Sequence, residues 1–148
     1  MEITPHVHSL HVQLDWFPQP YPPNVHLVVD GQEGALIDAG FPDDESISKR
    51  LEMLGQFANL KLRYIVITHH HFDHASGAQR LREATGARIV MHRDEAPLLQ
   101  RAASDELPGD IELPPEAREW RERTAQWRKE AAKGAPKVNF GRSGGDGR

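Results

Sequence analysis

The sequence predicts an α/β fold, one mixed sheet with flanking helices, and three observations carry that expectation. Short β-branched runs alternate with helically periodic stretches over the first hundred residues. Two early runs are joined by a glycine-marked turn, the mark of a hairpin, whereas later runs follow a strand–helix–strand order. A chain of 148 residues with 38% hydrophobic and 27% charged residues is long enough, and ordinary enough, for one domain with an apolar core.

Val7 to Leu14 reads as the first strand, and Phe17 to Pro23, with four prolines, as a surface loop that no sheet could contain. Val25–Asp30 and Ala35–Asp38 form the hairpin around Gly31, Gln32, Glu33 and Gly34, which leaves Asp38 at a strand end. Asp43 or Asp44 caps a helix whose buried face is marked by Ile47, Leu51 and Leu54, and Gly55 and Gln56 close it. Tyr64 to Ile67 is an unbroken apolar strand, as expected of one covered on both faces. A helix from about Ala75 to Ala84, a strand from Ala87 to Met91 and a helix from about Asp94 to Ala102 continue the alternation.

A boundary then falls near Ala102, dividing residues 1–102 from a charged helical extension over 103–134 and a disordered tail over 135–148. Pro115 suits the first turn of the extension's helix and Gly134 its end. Trp120, Thr124, Trp127 and Ala131 share one helical face, which is expected to dock on its own domain.

The formal charge of -4 gives no electrostatic reason to expect nucleic acid or an anionic membrane surface, so a small-molecule substrate is the expected partner. No signal peptide and no membrane span is visible, and a cytoplasmic protein is expected. With no cysteine, a metal would have to be held by His, Asp or Glu.

Four of the nine histidines fall in the run Thr68-His69-His70-His71-Phe72-Asp73-His74, between an apolar strand and an amphipathic helix. Where the chain leaves a strand, residues two apart point the same way, so His69 and His71 can present both imidazoles to one metal while His70 faces elsewhere. Asp73 and His74 lie where the next helix starts and can point across the same cavity toward a second metal. Imidazole nitrogen and carboxylate oxygen suit zinc, which also acidifies a bound water. His6, His8, His11 and His26 have no such context and read as ordinary strand histidines.

Thr68, His69, His71, Asp73, His74 and Gly77 resemble the Thr-His-x-His-x-Asp-His-x-x-Gly signature of the metallo-β-lactamase superfamily, and the strand ending Ala35-Leu36-Ile37-Asp38-Ala39-Gly40 resembles that family's earlier motif. The resemblance runs from about Val7 to His92 and implies an incomplete αββα sandwich, the N-terminal half only. It implies up to two zinc ions, held by His69 and His71 and by Asp73 and His74. Asp73 would also orient the attacking water as the catalytic residue, and Asp38 would support the loop from behind the ligands. The implied reaction is attack of metal-bound hydroxide on an ester, lactone, thioester or amide carbonyl. The family's remaining His and Asp ligands come from its C-terminal half, and no histidine follows His92 here. The rival expectation is therefore a truncated, non-catalytic fragment with weak metal binding or an interaction role. The sheet face that a second half would cover is expected to be closed by the Trp120 and Trp127 helix or by a second copy of the chain, as a homodimer.

Overall fold

The computed structural model describes residues 2–12, 14, 23–104 and 114–135; the expected proline loop and most of the expected tail lie outside them. Six strands form one sheet in sequence order: β1 (Glu2–Thr4), β2 (Val7–Ser9), β3 (His26–Asp30), β4 (Glu33–Ile37), β5 (Lys61–Ile67) and β6 (Arg88–Met91). β1 to β4 pair antiparallel, while β4, β5 and β6 run parallel, so the sheet is mixed. The hairpin between β3 and β4 turns at Gly31, whose φ of 61 suits a residue without a side chain.

Five helices complete the described chain: α1 (Asp44–Gly55), α2 (Phe72–Ala75), α3 (Ala78–Thr85), α4 (Ala96–Ser104) and α5 (Pro115–Lys133). Asp43 caps α1 by accepting the Ser46 N–H at 3.0 Å. The helix expected from Ala75 begins three residues later, because the turn α2 intervenes and carries Asp73 and His74 within it. The first strand is shorter than expected. After Leu10, whose N–H still donates to the Val25 carbonyl at 2.8 Å, the chain leaves the ladder, and Val12 and Leu14 are buried against Phe41 and Trp127.

Each parallel strand is added on the same side of the last, and the right-handed crossover rule then places α1 and α3 on one face of the sheet. That face holds the core: Leu27, Leu36, Ile65, Ile67 and Leu81 are buried there. Among the described residues, no helix covers the opposite face. Val28, Tyr64 and Val90 are 37%, 45% and 42% exposed, so β5 is covered on one side only, not on two. The α5 helix does not close that face. It packs against α4, α2 and α3, with Trp127 buried beside Phe41 and Gly134 close to Ile89 and Ala78 on the helical side. The side chain of Trp120 lies outside the described residues.

Candidate metal centre

Parallel neighbours bring their C-terminal ends to the same edge of a sheet, which is where open α/β folds place their chemistry. Ile37 of β4 is in register with Val66 of β5, so Asp38 and Thr68 leave the sheet side by side. The Asp38 N–H donates to the Val66 carbonyl at 2.7 Å, and Asp38 then turns through a left-handed conformation, φ 66, as does Gly40, φ 67. Gly77 is wedged under this turn, and its N–H donates to the Gly40 carbonyl at 2.8 Å. A Cβ at Gly77 would lie 2.5 Å from the Ala39 oxygen and 2.8 Å from that of Phe41, so only glycine lets the two loops close.

The buried carboxylate of Asp38 organises the rest. It accepts the Thr68 N–H at 2.9 Å, the Thr68 hydroxyl at 2.9 Å, and the His74 Nδ1–H at 3.0 Å. Because the Thr68 hydroxyl spends its one proton on Asp38, its oxygen is left to accept from His69 Nδ1, 2.8 Å away. One carboxylate thus engages Nδ1 of two imidazoles, His74 directly and His69 through Thr68, and leaves Nε2 of each ring as the atom to meet a cation once it carries no proton. His74 Nε2 faces Asp73 Oδ2 at 3.5 Å.

The rings converge. The centroid of His69 lies 4.9 Å from that of His71 and 4.2 Å from that of His74. Among the described residues, ligand atoms of His69, His71 and Asp73 come within 4.8 Å of one another, and so do those of Asp38, His69 and His74. Asp73 therefore stands with His69 and His71, and His74 stands with Asp38, whose oxygens already accept from Thr68 and His74. The atoms left for a cation are imidazole nitrogens and one carboxylate, a donor set that fits zinc. His6 and His8 belong to neither group: His6 Nδ1 meets the Val29 carbonyl at 3.1 Å and His8 packs edge-on to Phe57.

Electrostatics follow from this wiring. Burial would raise the Asp38 carboxyl, but the hydrogen bonds from His74 and Thr68 outweigh it and hold Asp38 below the ordinary aspartate range. The bond to Asp38 raises His74 above the ordinary histidine value, against burial and with help from the charge of Asp73. His69 is pushed down by burial and by the neighbouring His74 charge, which keeps its imidazole neutral and available as a ligand.

His70 belongs to neither ligand group, although its ring lies 4.9 Å from that of His71, and what it meets was not legible in the sequence. Its N–H and its Nδ1 both contact Oε2 of Glu95, at 3.0 and 2.7 Å. The His70 hydrogen bonds hold the Glu95 carboxyl below its usual value. Glu95 lies 25 residues away, just before α4, at a position where an acidic residue ordinarily signals only a helix start.

The metallo-beta-lactamase superfamily model matches residues 18–142 of this chain. A hydroxyacylglutathione hydrolase from Cereibacter sphaeroides is 35% identical over 85 residues, which cover 57% of this chain and 32% of that protein. A metallo-beta-lactamase from Cronobacter sakazakii superposes with a TM-score of 0.57 at 25% identity, over 78% of this chain and 44% of that one. A beta-lactamase domain protein from Burkholderia ambifaria superposes with a TM-score of 0.61 at 23% identity, over 71% and 35% of the two chains, a likeness of fold. The matched stretches span only 23%, 32% and 20% of three curated hydroxyacylglutathione hydrolases.

Proposed function

This chain belongs to the metallo-beta-lactamase superfamily, a family of hydrolases, and we propose that its Thr68–Gly77 loop holds zinc for hydrolysis of an ester, lactone, thioester or amide bond. The observation that carries the reading is the shared wiring of two imidazoles to Asp38, which leaves Nε2 of His69 and of His74 free beside His71 and Asp73. The relatives' name describes acyl-glutathione substrates, in which the acyl group is a thioester, and this favours a small thioester as the substrate.

His69, His71, Asp73 and His74 would hold the metal, with Asp38 as the carboxylate behind them. When bound, zinc supplies an acidified water and a positive charge that polarises the carbonyl. Asp73, partly exposed beside His74, would accept a hydrogen bond from the attacking water and orient it. Thr68 transmits the hold of Asp38 to His69, so the imidazole does not rotate when a proton or substrate approaches. A cytoplasmic setting and a small-molecule partner belong to the same proposal.

A second reading, a metal-binding unit with little turnover, is favoured by one observation. Each cluster brings together three ligand atoms, and in one of them the Asp38 oxygens are already engaged. Zinc analysis of the purified chain, paired with thioester, lactone and ester hydrolysis assays, separates the two. The hydrolase reading expects zinc that is lost in His69→Ala and His71→Ala, and zinc-dependent turnover that is lost in Asp73→Ala. Zinc retention without turnover supports the second reading, and a chain that takes up no zinc refutes both.

A further inference from the structure

We propose that Glu95 is a positioning residue for the metal loop, gripping His70 so that the ligands on either side of it, His69 and His71, are held in place. The inference rests on the reading that this loop binds metal.

The loop leaves β5 after Ile67, bends at His69 and enters α2 at Phe72, so fixing His70 restrains the two ligand residues joined to it on either side, His69 and His71. Between Thr68 and His71, Asp38 restrains only the Thr68 end, through the N–H and hydroxyl of Thr68. His71 begins the turn α2 with no side-chain cap of its own. The middle residue, His70, is held by Glu95 at two points, its main-chain N–H at 3.0 Å and its ring Nδ1 at 2.7 Å, both to the same oxygen. A main-chain bond alone would leave the ring free to swing, and a ring bond alone would leave the backbone free to rotate. Together they lock the residue, with its ring 4.9 Å from that of His71.

Glu95 is itself anchored. Its N–H donates to the His92 carbonyl at 3.0 Å, and its carbonyl accepts from Leu98 and Leu99 at the start of α4. Since α4 packs along α5, the metal loop is tied through a single carboxylate to the helical pair at the end of the described chain. Two carboxylates from distant parts of the chain, Asp38 and Glu95, thus hold the loop at two points. A loop so held presents its ligands without first losing conformational freedom on binding, which is where supporting residues gain affinity for a metal.

The test uses the full chain with zinc as probe, in wild type, Glu95→Ala, Glu95→Gln and His70→Ala. Zinc affinity is measured by competition with a chelating dye, and cobalt substitution reports coordination through its visible bands. Glu95→Ala should weaken zinc by roughly 10- to 100-fold, the range for supporting residues, and alter the cobalt bands. Glu95→Gln, which still accepts from the His70 N–H, should recover to within about threefold of wild type. His70→Ala keeps the main-chain bond and should fall between them. The His70 amide of the metal-free chain should exchange with solvent faster in Glu95→Ala than in Glu95→Gln. Should Glu95→Ala fail to fold, the Gln and His70→Ala variants and the exchange rates decide. Equal zinc affinity across the variants overturns the proposal while leaving the metal reading intact. A wild-type chain that binds no zinc overturns the metal reading and this proposal with it.

Discussion

Two groups of polar side chains flank the turn from Asp38 to Gly40, one around the buried Asp38 and one around the buried Arg50, and they are wired in opposite ways. On one side, Asp38, Thr68, His69 and His74 form a closed hydrogen-bond network in which every donor proton has a destination. On the other, α1 carries Asp43, Ser46 and Arg50 on its inward face. There Arg50 Nε, Nη1 and Nη2, Ser46 Oγ and Asp43 Oδ1 are buried without a hydrogen-bond partner. Arg50 is fully buried, and burial lowers its pKa to about 10 against the opposing charge of Asp43, so the guanidinium remains charged at neutral pH. Its guanidinium lies where a side chain on Gly40 would go, 2.7 Å from an ideal Cβ. Polarity in this core does two jobs. Satisfied, it aims ligands; unsatisfied, it fills space under a strained turn at a cost in stability.

The largest effect expected of that contrast is at Asp38. Asp38→Ala leaves the Thr68 N–H, the Thr68 hydroxyl and His74 Nδ1 without their acceptor. Loss of this buried acceptor should destabilise the chain by about 1–3 kcal/mol. It should also weaken zinc by roughly 10- to 100-fold. Urea denaturation and zinc competition measure the two losses, and an Asp38→Ala chain as stable as wild type would erase the distinction between the clusters.

Arg50→Met should act with the opposite sign. Methionine keeps an apolar side chain at this buried position and removes a guanidinium that has no hydrogen-bond partner, an exchange often neutral or stabilising by about 1–4 kcal/mol. A midpoint in urea at or above that of wild type, with zinc affinity unchanged, would sharpen the comparison. A loss as large as that of Asp38→Ala would show that the guanidinium is paired in solution.

The smallest effect is in proton linkage. Asp38, held below 3.8, contributes stability that is complete above that value and is lost as pH falls through its lower folded pKa. His74, raised above 6.5, contributes stability that is complete below 6.5 and is lost as pH climbs through its folded pKa. His69, lowered from 6.5, works against folding on the acid side of that value, so the two histidines oppose each other in a global melt. Imidazole titration by NMR on the metal-free chain resolves them: His74 should titrate above 6.5 and His69 below it. Asp38→Asn should bring His74 down. Coincident titration of the two rings would show that Asp38 does not set them apart.

The local parts of this protein are readable along the chain because they depend on near neighbours. The hairpin follows from Gly31 and the alternation around it, the cap of α1 from Asp43, and the strand–loop–turn bearing His69, His71, Asp73 and His74 from spacing alone. Even the position of Asp38 is local, since it follows a strand end. What those residues touch is not. That Asp38 serves two histidines through Thr68 and His74 depends on the register of β4 on β5, and no spacing states which parallel strand lies beside which. That Glu95 grips His70, and that Arg50 has no partner, depends on where α4 and α1 settle over the sheet. The open face of β5 was misread for the same reason. A run of apolar residues reports that each can be buried, whereas the handedness of successive crossovers decides that only one side of the sheet receives helices.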